Sequence, residues 1–320
     1  DPNDPGQISH FQALTTALSA TVGMGNISGV AVAIAMGGPG AIFWMWISAV
    51  VGMSTKFFTS SLAIMYRGKD SEGELQGGPM YFITEGLGKK WKPLAIFFSA
   101  CAMIGALPVF NVNQLTQAVN DILLKPNGVE VTNYTNLVIG VFLVIITSIV
   151  VLGGLKRIGK VTARLVPSMV FLYFILVVII LIVNIEVVPK YFMMIFTDAF
   201  SADFINEESF FGGVVGALII LGIKRGAFSN EAGVGTAPMA HGAAKTDEPV
   251  REGLVAMLGP FIDTIIVCTL TALAILVTEV WQTTDTNGVS LTATAFGNAM
   301  PGVGKYLLMI CFLNNTRFEK

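Results

Sequence analysis

Polar side chains stand deep inside stretches that are otherwise apolar, and their types suit binding rather than bond-breaking. Asn26 lies in "GMGNISG" (23–29), in the middle of an uncharged run from Phe11 to Gly37. Ser229, Asn230 and Glu231 lie in "KRGAFSNEAGVG" (224–235), and Asp263 with Thr264 interrupts "GPFIDTIIVCTLTAL". Asn111, Gln114 and Gln117 recur every three residues in "NVNQLTQAVND", which puts them on one helix face. Amide and hydroxyl oxygens coordinate hard cations, and glycine lets a ligand or a neighbouring helix approach the backbone closely. A small polar site bounded by glycine suits a small zwitterion.

Each residue has a functional reading and a structural one. The side-chain oxygen of Asn26 could coordinate a cation with help from the carbonyls of Ala20 to Val22, or it could cap a helix, where Asn is favoured. Gly23 and Gly25 give a substrate access to the backbone, or they permit close helix packing. Ser229 and Asn230 are candidate substrate contacts. Glu231 is read as pairing Lys224 or Arg225, because an unpaired buried carboxylate is very costly. Asp263 and Thr264 form an ion site or a hydrogen bond to a neighbouring helix, and the residues alone leave both open. Gln114 is the best cavity-lining candidate of its face, and Gln117 is read as outer-vestibule lining. Lys56 is read as paired inside the protein.

The elements that must position these groups are membrane helices. The chain of 320 residues is 53% hydrophobic and 12% charged, where a soluble domain carries roughly 25% charged residues; mean hydropathy is +0.71. A spanning helix needs about 20 apolar residues. That measure predicts spans over 11–37, 40–66, 93–124, 134–155, 165–188, 209–242, 250–281 and a last one near 291–313, with 80–87 as a turn and short surface helix. Lys and Arg concentrate in alternate loops (67–92, 156–164, 245–251). The positive-inside rule then puts the start of the first span in the cytoplasm. Trp44 and Trp46 read as an aromatic belt at the outer interface.

The first and sixth spans both break around glycine. They are five apart in order, so they cross in opposite directions, the pattern of inverted repeats in secondary transporters. A break at the midplane exposes N–H donors of the outer half-helix, which suit a substrate carboxylate, and carbonyls of the inner half, which suit a cation such as Na⁺.

Other classes fit poorly. An intramembrane hydrolase needs a Ser–His or paired-Asp constellation. The only histidines, His10 and His241, sit near loops or helix ends, and there is no G-x-S-x-G elbow. A channel would show a repeated filter or charged rings. "GMGNISG" has the wrong spacing and surroundings for a dinucleotide loop. Cys101, Cys268 and Cys311 all stand in apolar runs, so structural disulfides are not expected. The net charge of −2 gives no reason to expect a nucleic-acid partner.

Several stretches carry a family resemblance: "GGPGAIFWMWISAVVG" (37–52), "GELQGGPMYFITEGLG" (73–88), "GGLKRIGK" (153–160) and "KRGAFSNEAGVGTAPMAHGAAKTDEP" (224–249). They resemble the alanine/glycine:cation symporters, and the likeness runs to about Tyr306. Met24 stands where many members have threonine. The resemblance implies an all-α polytopic protein of the plasma membrane with a leucine-transporter-like fold of two inverted five-helix repeats. It implies uptake of alanine or glycine driven by Na⁺ or, second, H⁺, with no other cofactor. The parts expected are a cytoplasmic loop at 1–10, a first repeat at 11–188, an extracellular loop at 189–208 and a truncated second repeat at 209–320. The tail "MICFLNNTRFEK" departs from the family's continuation, and the resemblance implies a chain lacking one helix before it and several after.

Overall fold

The computed structural model describes residues 4–70, 73–105, 107, 109–200, 214–284 and 286–316. The chain is helical nearly throughout, with one two-stranded hairpin, Gly68–Lys69 against Leu75–Gln76. Lipid cannot satisfy backbone groups, so an apolar chain closes its hydrogen bonds within helices.

The first span is a bent pair. Helix α1 (His10–Thr21) starts at a capping box, with Ser9 Oγ accepting from the Gln12 amide at 3.2 Å and Gln12 Oε1 from the Ser9 amide at 2.9 Å. Helix α2 (Met24–Gly37) follows at a bend of 40°. The interruption is therefore only Val22–Gly23, shorter than the glycine content of "GMGNISG" suggests. Gly25, Asn26 and Gly29 are already helical.

Helix α3 (Ala41–Met65) is continuous. The third expected span lies within Lys89–Asn127, a stretch long and apolar enough to cross a membrane; it contains α4 (Lys92–Gly105) and α5 (Val109–Val119), with Leu107 between them non-helical. Then come α6 (Asn133–Val151) and α7 (Gly154–Val183). At about 45 Å, given roughly 1.5 Å per residue, α7 takes in Lys156 to Arg164. Those charges are the first turns of a helix rather than a loop.

Helix α8 (Val188–Ala199) occupies much of the expected extracellular loop, the rest of which, with the start of the sixth span, lies outside the described residues. Trp44 and Trp46 meet it through Phe192, Phe196 and Phe200. The two tryptophans, both half-buried, thus fix α3 to α8 and its flank.

Helix α9 (Val214–Asn230) carries "KRGAFSN" within it, and the second break is the five-residue turn 231–235 before α10 (Thr236–Gly242). Lys224 is exposed and Arg225 half-buried, so neither lies in a polar interior. The turn needs left-handed backbone at Glu231 (φ 51°), Gly233 (94°) and Gly235 (99°). Two glycines supply it without strain.

Helix α11 (Pro249–Val277) is the most buried span. Its middle, Phe261–Cys268, is wound as a π-helix directly after Pro260. The last expected span is interrupted: α12 (Val289–Ala299) and α13 (Gly304–Thr316, as far as it is described) are separated by a turn at 300–303. "MPGVG" carries the proline and glycine that end one helix and turn the chain.

The core gathers around the first break. Leu18, Ile27 and Ile34 meet Tyr173 and Val177 of α7, Ala272 and Leu276 of α11, and Phe296 of α12. Phe97, Phe142 and Phe171 stand exposed on α4, α6 and α7, as side chains facing hydrocarbon do.

Candidate functional site

The π-helix sets the site. Proline removes one amide donor, and i→i+5 bonding shifts the register, a feature that recurs at functional positions. It presents Asp263, Thr264 and Cys268 inward, all at 0% exposure. The Asp263 carboxylate accepts three hydrogen bonds. Asn26 Nδ2 donates to Oδ1 at 2.7 Å, and the hydroxyls of Ser229 and Thr264 donate to Oδ2 at 2.7 Å each. Asn26 Nδ2 also lies 3.0 Å from the Asp263 carbonyl. Cys268 Sγ completes the group, 3.2 Å from Ser229 Oγ and 3.5 Å from Asn26 Nδ2.

One carboxylate therefore joins the beginning of α2, the end of α9 and the centre of α11. Both discontinuous segments reach the same side chain. At Gly25 the two helices are neighbours: a methyl group there would stand 3.8 Å from Ser229 Cα, an ordinary van der Waals contact.

Asn26 does two things. Its oxygen accepts from the Gly23 amide at 2.8 Å, capping α2, and its nitrogen serves Asp263. The capping reading holds through the oxygen, which is committed to the cap, while the nitrogen is turned to Asp263. Oxygen for a cation is available nearby instead. Val22 N–H bonds back to the Leu18 carbonyl, and among the described residues no N–H closes on the carbonyls of Ala20 or Val22. They are the free carbonyls of a helix end. A mostly apolar cavity of about 10 Å³ adjoins Val22 and Gly23, lined also by Ile27, Met169, Val170 and Tyr173 among others. That is space for about one water-sized species.

Asn230 is fully buried and holds the second break. Its oxygen accepts from the Ala232 amide at 3.0 Å, and its nitrogen lies 3.4 Å from Thr264 Oγ1. Glu231 accepts from Thr236 at 2.7 Å across the turn. Gln114 is placed apart from this group. It accepts from the Val289 amide at 3.1 Å and donates to Gln117 at 3.3 Å, tying α5 to the start of α12. Lys56 is 2% exposed on α3, and its side chain packs against Gly259 of α11.

Cys268 was not legible as a site residue, because an apolar run is the ordinary place for a structural cysteine. The signal is its spacing. Five residues separate it from Asp263, one turn of a π-helix but not of an α-helix, and Pro260 is the only hint of the change.

Two interrupted helices meeting at a buried carboxylate within a bundle of long apolar helices define a membrane protein with a polar site at its centre. Residues 1–315 match the model of the sodium:alanine symporter family, and the chain belongs to that family. It is 46% identical over 308 residues to the sodium/alanine symporter AgcS of Methanococcus maripaludis, a match covering 94% of this chain and 65% of that protein. It is 38% identical over 313 residues to a putative sodium/proton-dependent alanine carrier protein, YrbD, of Bacillus subtilis (93% of this chain, 61% of that one). It is 37% identical over 306 residues to the probable sodium/glutamine symporter GlnT of the same organism (96% and 61%). The chain thus spans less than two thirds of the length of these relatives.

Proposed function

We propose that this chain serves Na⁺-coupled symport of a small neutral amino acid, alanine or glycine, across the plasma membrane by alternating access. The observation that carries the reading is the Asp263 carboxylate, held at once by Asn26 beside the first break and Ser229 at the second. A buried carboxylate favours a cation. The free carbonyls of Ala20 and Val22, the Asp263 carboxylate and the hydroxyl of Thr264 are the oxygens offered to it. The amides at the start of α2 carry the partial positive charge that suits a substrate carboxylate. Gly23 and Gly25 leave the backbone accessible, Ser229 and Asn230 line the same junction, and Gln114 acts through the helix that covers it.

The arrangement accords with two inverted repeats of a leucine-transporter-like fold, 11–188 and 209–320, each opening on an interrupted helix. A buried carboxylate can also carry a proton, and the name of one relative includes proton dependence. H⁺ coupling is therefore the second reading. The test is alanine uptake into proteoliposomes by a full-length symporter carrying these 320 residues, with Na⁺ and pH gradients imposed separately. Accumulation driven by the Na⁺ gradient alone supports the proposal. Accumulation driven only by the pH gradient overturns the choice of ion, and none under either gradient overturns the function.

A further inference from the structure

The chain's two histidines meet one carboxylate far from the Asp263 site. Glu252, at the head of α11, is 0% exposed. His241 Nδ1, in α10, lies 2.5 Å from its Oε1, and His10 Nδ1, the first residue of α1, bonds its Oε2. Each oxygen is taken by a different imidazole from a different helix. Those helices are the two inner half-helices: α1 ends at the first break, and α10 begins at the second.

The surroundings fix Glu252 and tie the outer ends of the two half-helices to each other. Gly253 lets α11 pack without a gap on α3, since a methyl group there would meet Ser61 Oγ at 2.2 Å. The segment entering α1 pairs with the one leaving α10: the Gln7 amide donates to the Ala243 carbonyl at 2.8 Å and the Lys245 amide to Ile8 at 2.7 Å. Arg67, at the end of α3, donates to the carbonyls of Gly242 and Thr246 at 2.8 Å each and of Pro5 at 3.1 Å. Further along, Ala17 of α1 packs against Ala237 and Ala240 of α10 with no room between them. Each inner half-helix therefore has a break at one end and a hydrogen bond to Glu252 near the other.

We infer that Glu252 is a positioning residue that couples the two inner half-helices, so that α1 and α10 close and release the cytoplasmic side of the site as one unit. The inference extends the transport reading. A half-helix that left alone would strand one oxygen of a buried carboxylate, which is strongly destabilising. Releasing both together, with water entering, strands neither.

The test uses a full-length symporter carrying these residues, with Cys101→Ser and Ala17→Cys, because Ala17 is 6% exposed and clusters with Ala237 and Ala240 of α10. A water-soluble maleimide is applied from the cytoplasmic side to ligand-free protein, and the parent without Ala17→Cys gives the background. Glu252→Ala should accelerate labelling at least tenfold. His10→Ala and His241→Ala should each accelerate it, and the double variant should match Glu252→Ala rather than the product of the two. Alanine binding at saturating Na⁺ should stay within about threefold of the parent, which a general loss of fold would not allow. If Glu252→Ala does not fold, Glu252→Gln keeps the volume, removes the charge and is read the same way. Unchanged labelling, or independent effects of the two histidines, overturns the inference. The labelling needs no substrate, so it stands or falls separately from the choice of alanine and Na⁺.

Discussion

Asn26 Nδ2 stands 2.7 Å from Asp263 Oδ1, although 237 residues separate them in the chain. The contact places the first helix break, through the side chain that caps it, against the centre of the most buried span. A change in what Asp263 binds is thereby felt at the backbone of Gly23, whose amide Asn26 also holds.

Ser229→Ala removes one of the two hydroxyls on Asp263 Oδ2. A hydrogen bond to a charged group contributes about 1.5–3 kcal/mol. The Na⁺ concentration for half-maximal alanine binding should therefore rise roughly ten- to a hundredfold, while protein yield stays near that of the parent. Isothermal titration in stepped Na⁺ checks this, and an unchanged Na⁺ requirement would remove Ser229 from the site.

Asn230→Ala acts on the second break. It frees the Ala232 amide and the contact to Thr264. Gly233 and Gly235 still provide the turn, so the fold persists. Alanine binding should weaken about ten- to a hundredfold, by the same order of interaction. Binding equal to the parent's would make Asn230 a packing residue only.

Gly242→Ala tests the cytoplasmic packing. The added methyl group would stand 2.5 Å from Gly77 Cα, a backbone atom that cannot move aside cheaply. Overpacking of this kind destabilises by about 1–3 kcal/mol. A lowered melting temperature in detergent is the expected result, and an unchanged one would show that the two backbones are not in contact.

Single cysteines at the exposed positions within 67–92, 153–164 and 243–252 should label from the cytoplasm, and at those within 125–133 and 189–200 from outside. The basis is the alternation of Lys and Arg between loops. Labelling of positions 160 and 190 from the same side would contradict this orientation.

Much of the site was legible because polar residues in lipid are expensive and therefore conspicuous. Asn26, Ser229, Asn230 and Asp263 all stood out in apolar runs, and all are buried. Their partnerships were not legible, since nothing local to Asn26 points to a carboxylate 237 residues away. The breaks were half legible. Glycine marked both regions, but hydrogen bonding decides where a helix stops: Val22–Gly23 in one case and 231–235 in the other. Pro301 lies in a turn that interrupts a stretch which reads as one span by apolar length alone. Gln114 shares a helix face with residues that suit a cavity, yet its partner is the Val289 amide, a choice made by the turn before α12. His10 and His241 looked like isolated helix-end residues because their common partner, Glu252, lies on a third element.

The most direct measurement is alanine binding titrated against Na⁺ in a full-length symporter carrying these residues, for the parent and for Asp263→Asn. The account predicts that Asp263→Asn shifts the half-maximal Na⁺ concentration upward by at least tenfold and leaves alanine affinity at saturating Na⁺ within about threefold. Equal Na⁺ dependence in the two proteins would contradict it. The carboxylate would then be a structural link between the broken helices, and the coupling ion would bind elsewhere.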